Sequence, residues 1–237
     1  MSRTKLLFSL PCKDAKNNVI LLNKVKISQE KLSRIIKRVP LDYYQNGVKH
    51  NILQRIWHRN KLNIVINLIH ETPQKILDVG CASGWFLSHI ATHYPTVKCV
   101  GVDIYKEAID YGNKRYKTIK LIQGDAQQLP FPNEFFDLII CTEVLEHVTF
   151  PKKVLNEIER VLTPGGKAIL EMDTGNILFR LVWYWWTRIR KSVWTEAHLQ
   201  FFDSKKLEKL IIKNGFRVIK RKVFNFSMAV AFLVEKK

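Results

Sequence analysis

Several features are scarce or missing in this chain of 237 residues. It has four cysteines, none of them in a CxxC pair, so the sequence gives no structural zinc motif and favours reduced thiols. No apolar run approaches the roughly 20 residues that a membrane-spanning helix needs. We therefore expect a cytoplasmic protein, with association at a membrane surface as an open alternative.

Acidic residues are also few, with 21 Asp and Glu against 39 Lys and Arg, which leaves a net charge of +18. This excess is unevenly placed. Residues 1–72 carry +10, residues 73–175 carry −2 and residues 176–237 carry +10. Basic flanks around a nearly neutral middle suit an anionic partner such as nucleic acid, a membrane surface or an acidic small molecule. A general bias toward lysine would give the same totals.

The order of apolar segments indicates the fold. Short runs typical of strands alternate with segments of helical periodicity, which predicts an α/β fold with helices on both faces of a mostly parallel, seven-stranded sheet. The last two runs are separated by only two residues, so we expect an antiparallel hairpin at the C-terminal edge. Strands are predicted at 75–79, 97–102, 119–123, 136–141, 167–172, 216–223 and 226–234, and helices at 85–93, 105–115, 151–162 and 204–214.

The flanking parts of the chain predict additions to this sheet. Residues 1–72 form an expected helical cap, with helices at 28–39 and 50–70 separated by the turn-like stretch LDYYQNGV. Residues 73–237 form the sheet domain. An aromatic and basic insert at about 176–200 interrupts that domain between the fifth strand and the last helix.

A glycine turn follows the first predicted strand, in the stretch ILDVGCASGWF. Gly80 and Gly84 permit a tight turn and a close approach of ligand to the backbone. A dinucleotide fingerprint would also need glycines at 82 and 85, where this chain has Ala82 and Trp85, and no GK[ST] follows for a P-loop. Phosphate binding is therefore disfavoured.

Three acids stand at the ends of three successive predicted strands. Asp78 precedes the glycine turn and suits a ligand with an amine or other cation. Asp103 ends the second strand, where a carboxylate can accept both hydroxyls of a ribose. Asp125 follows the third strand and is placed to meet an adenine edge. A single acid at the end of a strand is usually a helix cap. Three acids at the ends of three successive strands, with a glycine turn after the first, indicate a nucleoside ligand.

These motifs resemble those of the class I S-adenosylmethionine-dependent methyltransferases, which have a Rossmann-like fold. The matching segments are ILDVGCASG, VGVDIYKEAI, QGDAQQLPFPNEFFDLIIC and LTPGGKAIL, and HLQFFDSKKLEKLIIKNGF resembles the late helix of the small-molecule, quinone-biosynthesis-like branch. The resemblance implies S-adenosylmethionine as cofactor. It assigns cofactor binding to Asp78, Gly80, Ala82, Gly84, Asp103, Ile104, Asp125, Ala126 and Thr142. Ala82 departs from the usual glycine, and we expect the added methyl group to be tolerated.

The segment EVLEHV after the fourth strand carries further candidates. On a helix, Glu143, Glu146 and His147 would share one face and could hold a divalent metal, as similar letters do in quinone-biosynthesis and small-RNA methyltransferases. A metal is an open alternative and not the favoured one, beside a His147 that faces the substrate or merely packs. The candidate catalytic residues are His147, Glu143 and His198, which precedes the FF pair.

The insert FRLVWYWWTRIRKSVW holds four of the six tryptophans. Drawn as a helix, residues 179–194 have an apolar face beside arginines, a composition found at membrane interfaces. A lid packed over the active site is an equally open interpretation, and stacking on RNA bases is a weaker one.

The leading interpretation is a methyltransferase acting on a small apolar or lipid-like acceptor, at oxygen in preference to carbon. The alternative is an RNA methyltransferase that uses the basic flanks, and a third is a cofactor-binding protein without catalysis. The sequence leaves the acceptor's identity and the oligomeric state open.

Overall fold

The computed structural model describes residues 34–189 and 203–237. Its centre is a seven-stranded sheet in the order β3-β2-β1-β4-β5-β7-β6, in which β1 to β5 are parallel and β7 pairs antiparallel with β5 and β6. The strands are β1 (Lys75–Val79), β2 (Lys98–Asp103), β3 (Lys120–Gln123), β4 (Phe136–Thr142), β5 (Leu162–Asp173), β6 (Phe216–Phe224) and β7 (Ala229–Lys236). The predicted fold class is confirmed.

Helices cover both faces of the sheet. They are α1 (Tyr43–His50), α2 (Ile52–Leu68), α3 (Trp85–His93), α4 (Lys106–Arg115), α5 (Pro151–Val161), α6 (Ile177–Tyr184) and α7 (Ser204–Lys213). In the described part of the chain, no helix is long and apolar enough to cross a bilayer.

The core consists of two apolar layers, one on each face of the sheet. The layer under α5 and α7 includes Val154, Leu155, Ile158, Leu207 and Ile211. The layer under α2, α3 and α4 includes Leu62, Val65, Leu87, Ile90 and Ile109. Each buried side chain of this size contributes about 1.5–3 kcal/mol relative to exposure. The central strands are apolar on both faces, which explains why their sequences are nearly continuous apolar runs.

The N-terminal helices differ from the prediction. The stretch LDYYQNGV is not a turn, because Tyr43–His50 forms α1. The predicted helix at 50–70 begins two residues late, at Ile52, because Asn51 interrupts it and caps α2. The Asn51 Oδ1 accepts the backbone N–H groups of Leu53 at 3.0 Å and Gln54 at 3.2 Å. An asparagine in this position stabilises a new helix start more than a continuous helix.

The loop between β6 and β7 is also longer than the two residues predicted. Residues 225–228 connect the strands, and Asn225, Phe226 and Ser227 all have positive φ, at 50°, 57° and 66°. The Asn225 side chain accepts a hydrogen bond from Asn60 Nδ2 at 2.9 Å. The turn is therefore fastened to α2 from the opposite end of the chain.

The insert begins as predicted, with a helix. α6 spans Ile177–Tyr184 and continues as one π-helical turn, Trp185–Ile189. Asn176 caps it by accepting the Phe179 N–H at 2.7 Å. The remainder of the predicted helix to residue 194 lies outside the described residues.

A test of the fold follows from Gly112 on α4, which lies directly against the glycine turn. A Cβ on Gly112 would come within 2.4 Å of the Ser83 carbonyl oxygen, a distance that backbone atoms cannot accommodate without moving. We expect Gly112→Ala to lower the free energy of unfolding by about 1–3 kcal/mol, measured by urea denaturation.

Gly47→Ala is the matched control, because its Cβ would meet only the flexible side chain of Gln54. It should leave the urea midpoint unchanged or raise it slightly, since alanine favours the helix. Equal midpoints for Gly112→Ala and the wild type would contradict the close packing of α4 on the turn.

Candidate functional site

A cavity of about 680 Å³ opens beyond the carboxyl ends of the parallel strands. This is the edge at which open α/β sheets bind ligands, and the volume is within the range of small-molecule sites. Of the nine residues that the resemblance assigned to the cofactor, seven line it: Gly80, Ala82, Asp103, Ile104, Asp125, Ala126 and Thr142.

The glycine turn gives this cavity its floor. Gly80 and Gly84 have φ of 79° and 78°, so both need the left-handed region that glycine tolerates. Ala82 has φ of 47°, which costs an alanine roughly 1 kcal/mol. The strained peptide is useful, because the Ala82 N–H donates to Asp103 Oδ2 at 2.8 Å. Gly84 does not line the cavity; it precedes α3 and packs against Leu121.

Asp103 is held in one orientation by the backbone. Its Oδ2 accepts from Ala82 and its Oδ1 accepts from the Tyr105 N–H at 2.9 Å. Each carboxylate oxygen keeps lone-pair capacity for a further donor. A fixed carboxylate with two oxygens on a cavity wall can receive a pair of neighbouring hydroxyls. Asp125 is fixed similarly, since its Oδ1 accepts the Gln127 N–H at 2.8 Å.

Asp78 lies below this cavity rather than on its wall. It is buried in a cleft of about 20 Å³ whose lining includes Gly80, Ala82 and Thr142, together with Lys61. Burial raises the pKa of Asp78 to about 7, although Lys61 acts in the opposite direction. The carboxyl group is thus placed to ionise when a cationic ligand group arrives.

A second cavity, of about 190 Å³, lies between the N-terminal helices and α6. Its walls are mainly aromatic, and its lining includes Tyr43, Tyr44, Trp57, Phe179, Trp183, Trp185 and Trp186. Five titratable side chains line the same space: His58, Glu143, Glu146, His147 and Asp173. Tyr44, Glu143 and His147 line both cavities, so the two spaces meet at these residues.

Glu143 at this junction is bound from α2. Its Oε1 accepts the Trp57 Nε1–H at 2.9 Å, and its Oε2 pairs with Lys61 Nζ at 3.1 Å. Burial alone would raise the pKa of Glu143, but Lys61 and the other groups that stabilise the carboxylate lower it to about 2. Glu143 is therefore a fixed negative charge and a weak proton acceptor near neutral pH.

The segment EVLEHV is not a helix, because Glu143 lies in a bend and residues 145–147 form a turn. Glu143 has φ of 54° and turns toward Lys61, whereas Glu146 is buried beside the second cavity. Within residues 34–189 and 203–237, no group of three His, Cys, Asp or Glu side chains is placed to hold a metal ion. The tentative set of Glu143, Glu146 and His147 is thus not assembled. His198 lies outside the described residues.

Several buried polar residues were not foreseen from the sequence. Lys61 is only 3% exposed, and its position four before Val65 and seven before Leu68 places it on the inward stripe of α2. That spacing is the signal that could have found it. His58 lies on the same stripe, and burial lowers its pKa to about 3.

Three more buried carboxyls surround this region. Glu171 has neither oxygen hydrogen-bonded, and burial raises its pKa to about 8. Burial also raises the pKa of Asp173 to about 7. Glu146 has one oxygen without a partner, and burial together with the nearby Asp173 raises its pKa well above the ordinary value. Burial is the largest cause of the raised pKa of all three carboxyls, and it favours their neutral forms.

Comparison with known proteins agrees with the geometry. A methyltransferase domain family matches residues 77–170. The demethylmenaquinone methyltransferase of Geobacillus sp. (strain WCH70) is 25% identical over 225 residues, covering 79% of this chain and 96% of that protein. Residues 77–170 are thus a methyltransferase domain, and the chain is similar to the class I S-adenosylmethionine-dependent methyltransferases.

Other relatives of this methyltransferase are similar over less of their length or only in fold. The fatty-acid O-methyltransferase of Mycolicibacterium smegmatis is 32% identical over 110 residues, which cover 43% of this chain and 40% of that protein. A solved S-adenosylmethionine-dependent methyltransferase of Thermotoga maritima has a TM-score of 0.68 at 22% identity, covering 87% of this chain and all of that one. This last likeness concerns the fold alone.

The cavity residues of the methyltransferase fit S-adenosylmethionine. The preoriented Asp103 carboxylate would hold the ribose hydroxyls, Asp125 and Ala126 would flank the adenine, and the buried Asp78 would lie toward the methionine amine. The side chains that would bind the nucleoside part of S-adenosylmethionine are therefore already held in place by the glycine turn and the strand ends.

The buried carboxyls predict how stability depends on pH. Asp78, Glu171 and Asp173 have pKa values of about 7, about 8 and about 7, against ordinary values of 3.8, 4.5 and 3.8. The unfolded chain releases these protons near pH 4, whereas the native chain keeps them. Their stabilising contribution is therefore complete below about pH 4 and is lost as the pH rises through about 7 to 8.

We expect Glu171→Gln to make the decline in the free energy of unfolding between about pH 5 and 8 shallower, in urea titrations without cofactor. Glu208→Gln on α7 is the control and should follow the wild-type curve. A Glu171→Gln curve parallel to the wild type would show that Glu171 is ionised in the native chain.

Proposed function

We propose that the chain transfers the methyl group of S-adenosylmethionine to a small, apolar or lipid-like acceptor, at an oxygen atom of that acceptor. The observation that carries this proposal is the meeting of two cavities at Tyr44, Glu143 and His147. The larger cavity fits the cofactor, so the smaller one is the place for the acceptor. Methyl transfer needs the two reactants in line across such a junction.

The lining of the smaller cavity supports the class of acceptor. Aromatic walls with a few convergent polar groups are typical of sites for small apolar molecules. A volume of about 190 Å³ suits a single ring or the end of a chain. The relatives named for demethylmenaquinone and fatty-acid methylation point to the same class of molecule.

Methyl transfer requires the protein mainly to position the acceptor and to provide a group that accepts its proton. S-adenosylmethionine supplies a methyl group that is already activated on a sulfonium. The chain must orient the acceptor hydroxyl, exclude water and remove the hydroxyl proton. The closed aromatic walls provide the exclusion, and the carboxyls of the acceptor cavity provide the proton acceptor.

Asp173 is our candidate for that base. It ends β5 at the cavity wall, and its Oδ1 accepts the Gly175 N–H at 2.9 Å, which fixes the carboxyl group. A pKa of about 7 lies near the working pH, where a general base is most effective. Glu143, with a pKa of about 2, is less suited to that role.

The neighbouring groups have complementary roles in this proposal. Glu146 is buried against the same cavity, and burial raises its pKa; when protonated, this carboxyl can donate a hydrogen bond to a second acceptor oxygen. His147 borders both cavities and would orient the reacting hydroxyl. An acceptor with a hydroxyl close to a carbonyl oxygen would satisfy both carboxyl groups.

The experiment that tests the function is transfer of labelled methyl from S-adenosylmethionine into a total cell extract, followed by partition between organic solvent and water. We expect label in the organic phase. RNase-sensitive label in the aqueous phase would instead support RNA methylation through the basic flanks. Identification of the labelled product by mass spectrometry then gives the acceptor and the methylated atom.

With an acceptor in hand, Asp173→Asn tests the base. We expect kcat to fall about 10²- to 10⁴-fold, since a general base contributes that much. The wild-type rate should rise with pH through about 7, as Asp173 loses its proton, and the variant should lack that limb.

Asp110→Asn on the exposed face of α4 is the control and should retain the wild-type profile. A wild-type pH limb that persists in Asp173→Asn would assign the proton transfer to another group, with His147 the next candidate.

A further inference from the structure

One side of the molecule exposes apolar side chains from three separate segments. The start of α2 exposes Ile52, Leu53 and Ile56. The outer side of α6 exposes Ile177, which is 78% exposed, and Leu181, which is 63% exposed. Phe226 at the β6–β7 turn is 82% exposed. We call these residues the apolar face.

Hydrogen bonds hold the three segments together on one side. Asn60 of α2 donates to Asn225 of the turn at 2.9 Å. Asn176, the cap of α6, donates to the Ser227 carbonyl oxygen at 2.7 Å. Leu53 of α2 and Val182 of α6 line the same acceptor cavity. The apolar face therefore borders that cavity through Leu53 and through α6.

The helix α6 is apolar on more than its inner side. Phe179 and Trp183 face the acceptor cavity, while Ile177, Leu181 and Tyr184 are exposed. A helix that is apolar all round is normally buried on every side, in a core or against a membrane. The exposed half of α6 thus calls for an apolar environment beyond the residues that the structure describes.

The three segments that form the apolar face carry charges of one sign only. Residues 43–70, 174–189 and 216–234, which carry the three segments, contain no Asp or Glu. Exposed cations from these segments include Lys49, Arg59, Arg180, Arg188 and Lys222. Apolar side chains accompanied by the cations of these three described segments complement a surface that is apolar inside and anionic at its rim.

We propose that the apolar face docks on the surface of an anionic lipid bilayer. The apolar side chains enter the boundary between headgroups and acyl chains, and the surrounding cations lie against the anionic headgroups. Trp185 and Tyr184 stand at the depth where amphipathic rings are favoured. In this position the acceptor cavity opens toward the bilayer, so an apolar acceptor enters without crossing water.

The test is flotation of the full chain with vesicles, a measurement that needs no methyl acceptor and no activity. Vesicles of phosphatidylcholine alone are compared with vesicles containing roughly one third phosphatidylglycerol. We expect binding to the anionic vesicles that weakens as salt is added, because the cations act through screened charge. Apolar insertion should leave part of the binding in high salt.

The deciding variant is Leu181→Gln combined with Phe226→Asn, since asparagine tolerates the positive φ at 226. We expect the bound fraction to fall about fivefold or more, because two inserted side chains are lost. The matched control is Ile212→Gln on α7, an exposed apolar residue on a helix that packs on the other face of the sheet. It should change binding less than about twofold.

Other outcomes overturn the proposal. Equal vesicle binding by the double variant and the wild type, with both folded by circular dichroism, would place any membrane contact elsewhere. If the wild type does not bind the vesicles but forms a dimer, and the double variant does not dimerise, the apolar face is a contact between two copies of this chain. A wild type that ignores the vesicles and binds single-stranded RNA through the same residues would make it a nucleic-acid surface.

Discussion

The ion pair between Lys61 and Glu143 is the contact on which the acceptor side of the molecule depends. It joins the N-terminal helices to the end of β4, where the two cavities meet and where the proposed function has the methyl group pass from one to the other. A buried pair of this kind gains little over apolar packing, but removing one partner leaves a buried charge that costs about 3–5 kcal/mol. The pair therefore fixes where α2 lies, and α2 in turn forms one wall of the acceptor cavity.

The same ammonium sets the protonation of the groups around it. Lys61 lies close enough to Asp78, Glu143 and Glu171 to influence each of them. One positive charge can hold only one of these carboxylates ionised at low cost, and hydrogen bonding from Trp57 decides in favour of Glu143. The pKa values of the other two carboxyls stay raised, to about 7 for Asp78 and about 8 for Glu171, so these groups can carry a proton near neutral pH. Burial, more than any single contact, therefore sets the pKa values of the carboxyl groups at this edge of the sheet.

The sheet and most of the residues predicted at the end of its strands, which line the larger cavity, could be placed from the sequence because both depend on local pattern. β1 and α3 match their predicted bounds, since a β-branched apolar run and a glycine turn leave little choice of conformation. Asp103 and Asp125 could be placed because acids at the ends of parallel strands must meet at one edge. Ala82 shows the same logic, because its left-handed backbone follows from the turn around it.

The acceptor side could not be predicted in the same way, because it is made by contacts between distant parts of the chain. Trp57 and Glu143 are 86 residues apart, and Asn60 and Asn225 are 165 apart. Residues 143–149 do not form a helix, because Glu143 adopts a positive φ and pairs with Lys61. This contact belongs to the tertiary structure and is not encoded in the local periodicity of the sequence. In the sequence, Asp173 is recognisable only as a residue at the end of a strand. Its place in the acceptor cavity depends on α6 and the N-terminal helices, which line that cavity with it.

This division explains the distribution of charge along the chain. The central part, which forms the cofactor cavity, is nearly neutral, and the excess of positive charge lies in the flanking parts. The flanks supply α1, α2 and α6, which line the acceptor cavity, and the β6–β7 turn, which is hydrogen-bonded to α2. A cationic cofactor needs no positive field to attract it, so the cations have no use in the centre. They lie instead on the side from which the acceptor enters, where a negatively charged surface would hold the molecule in place.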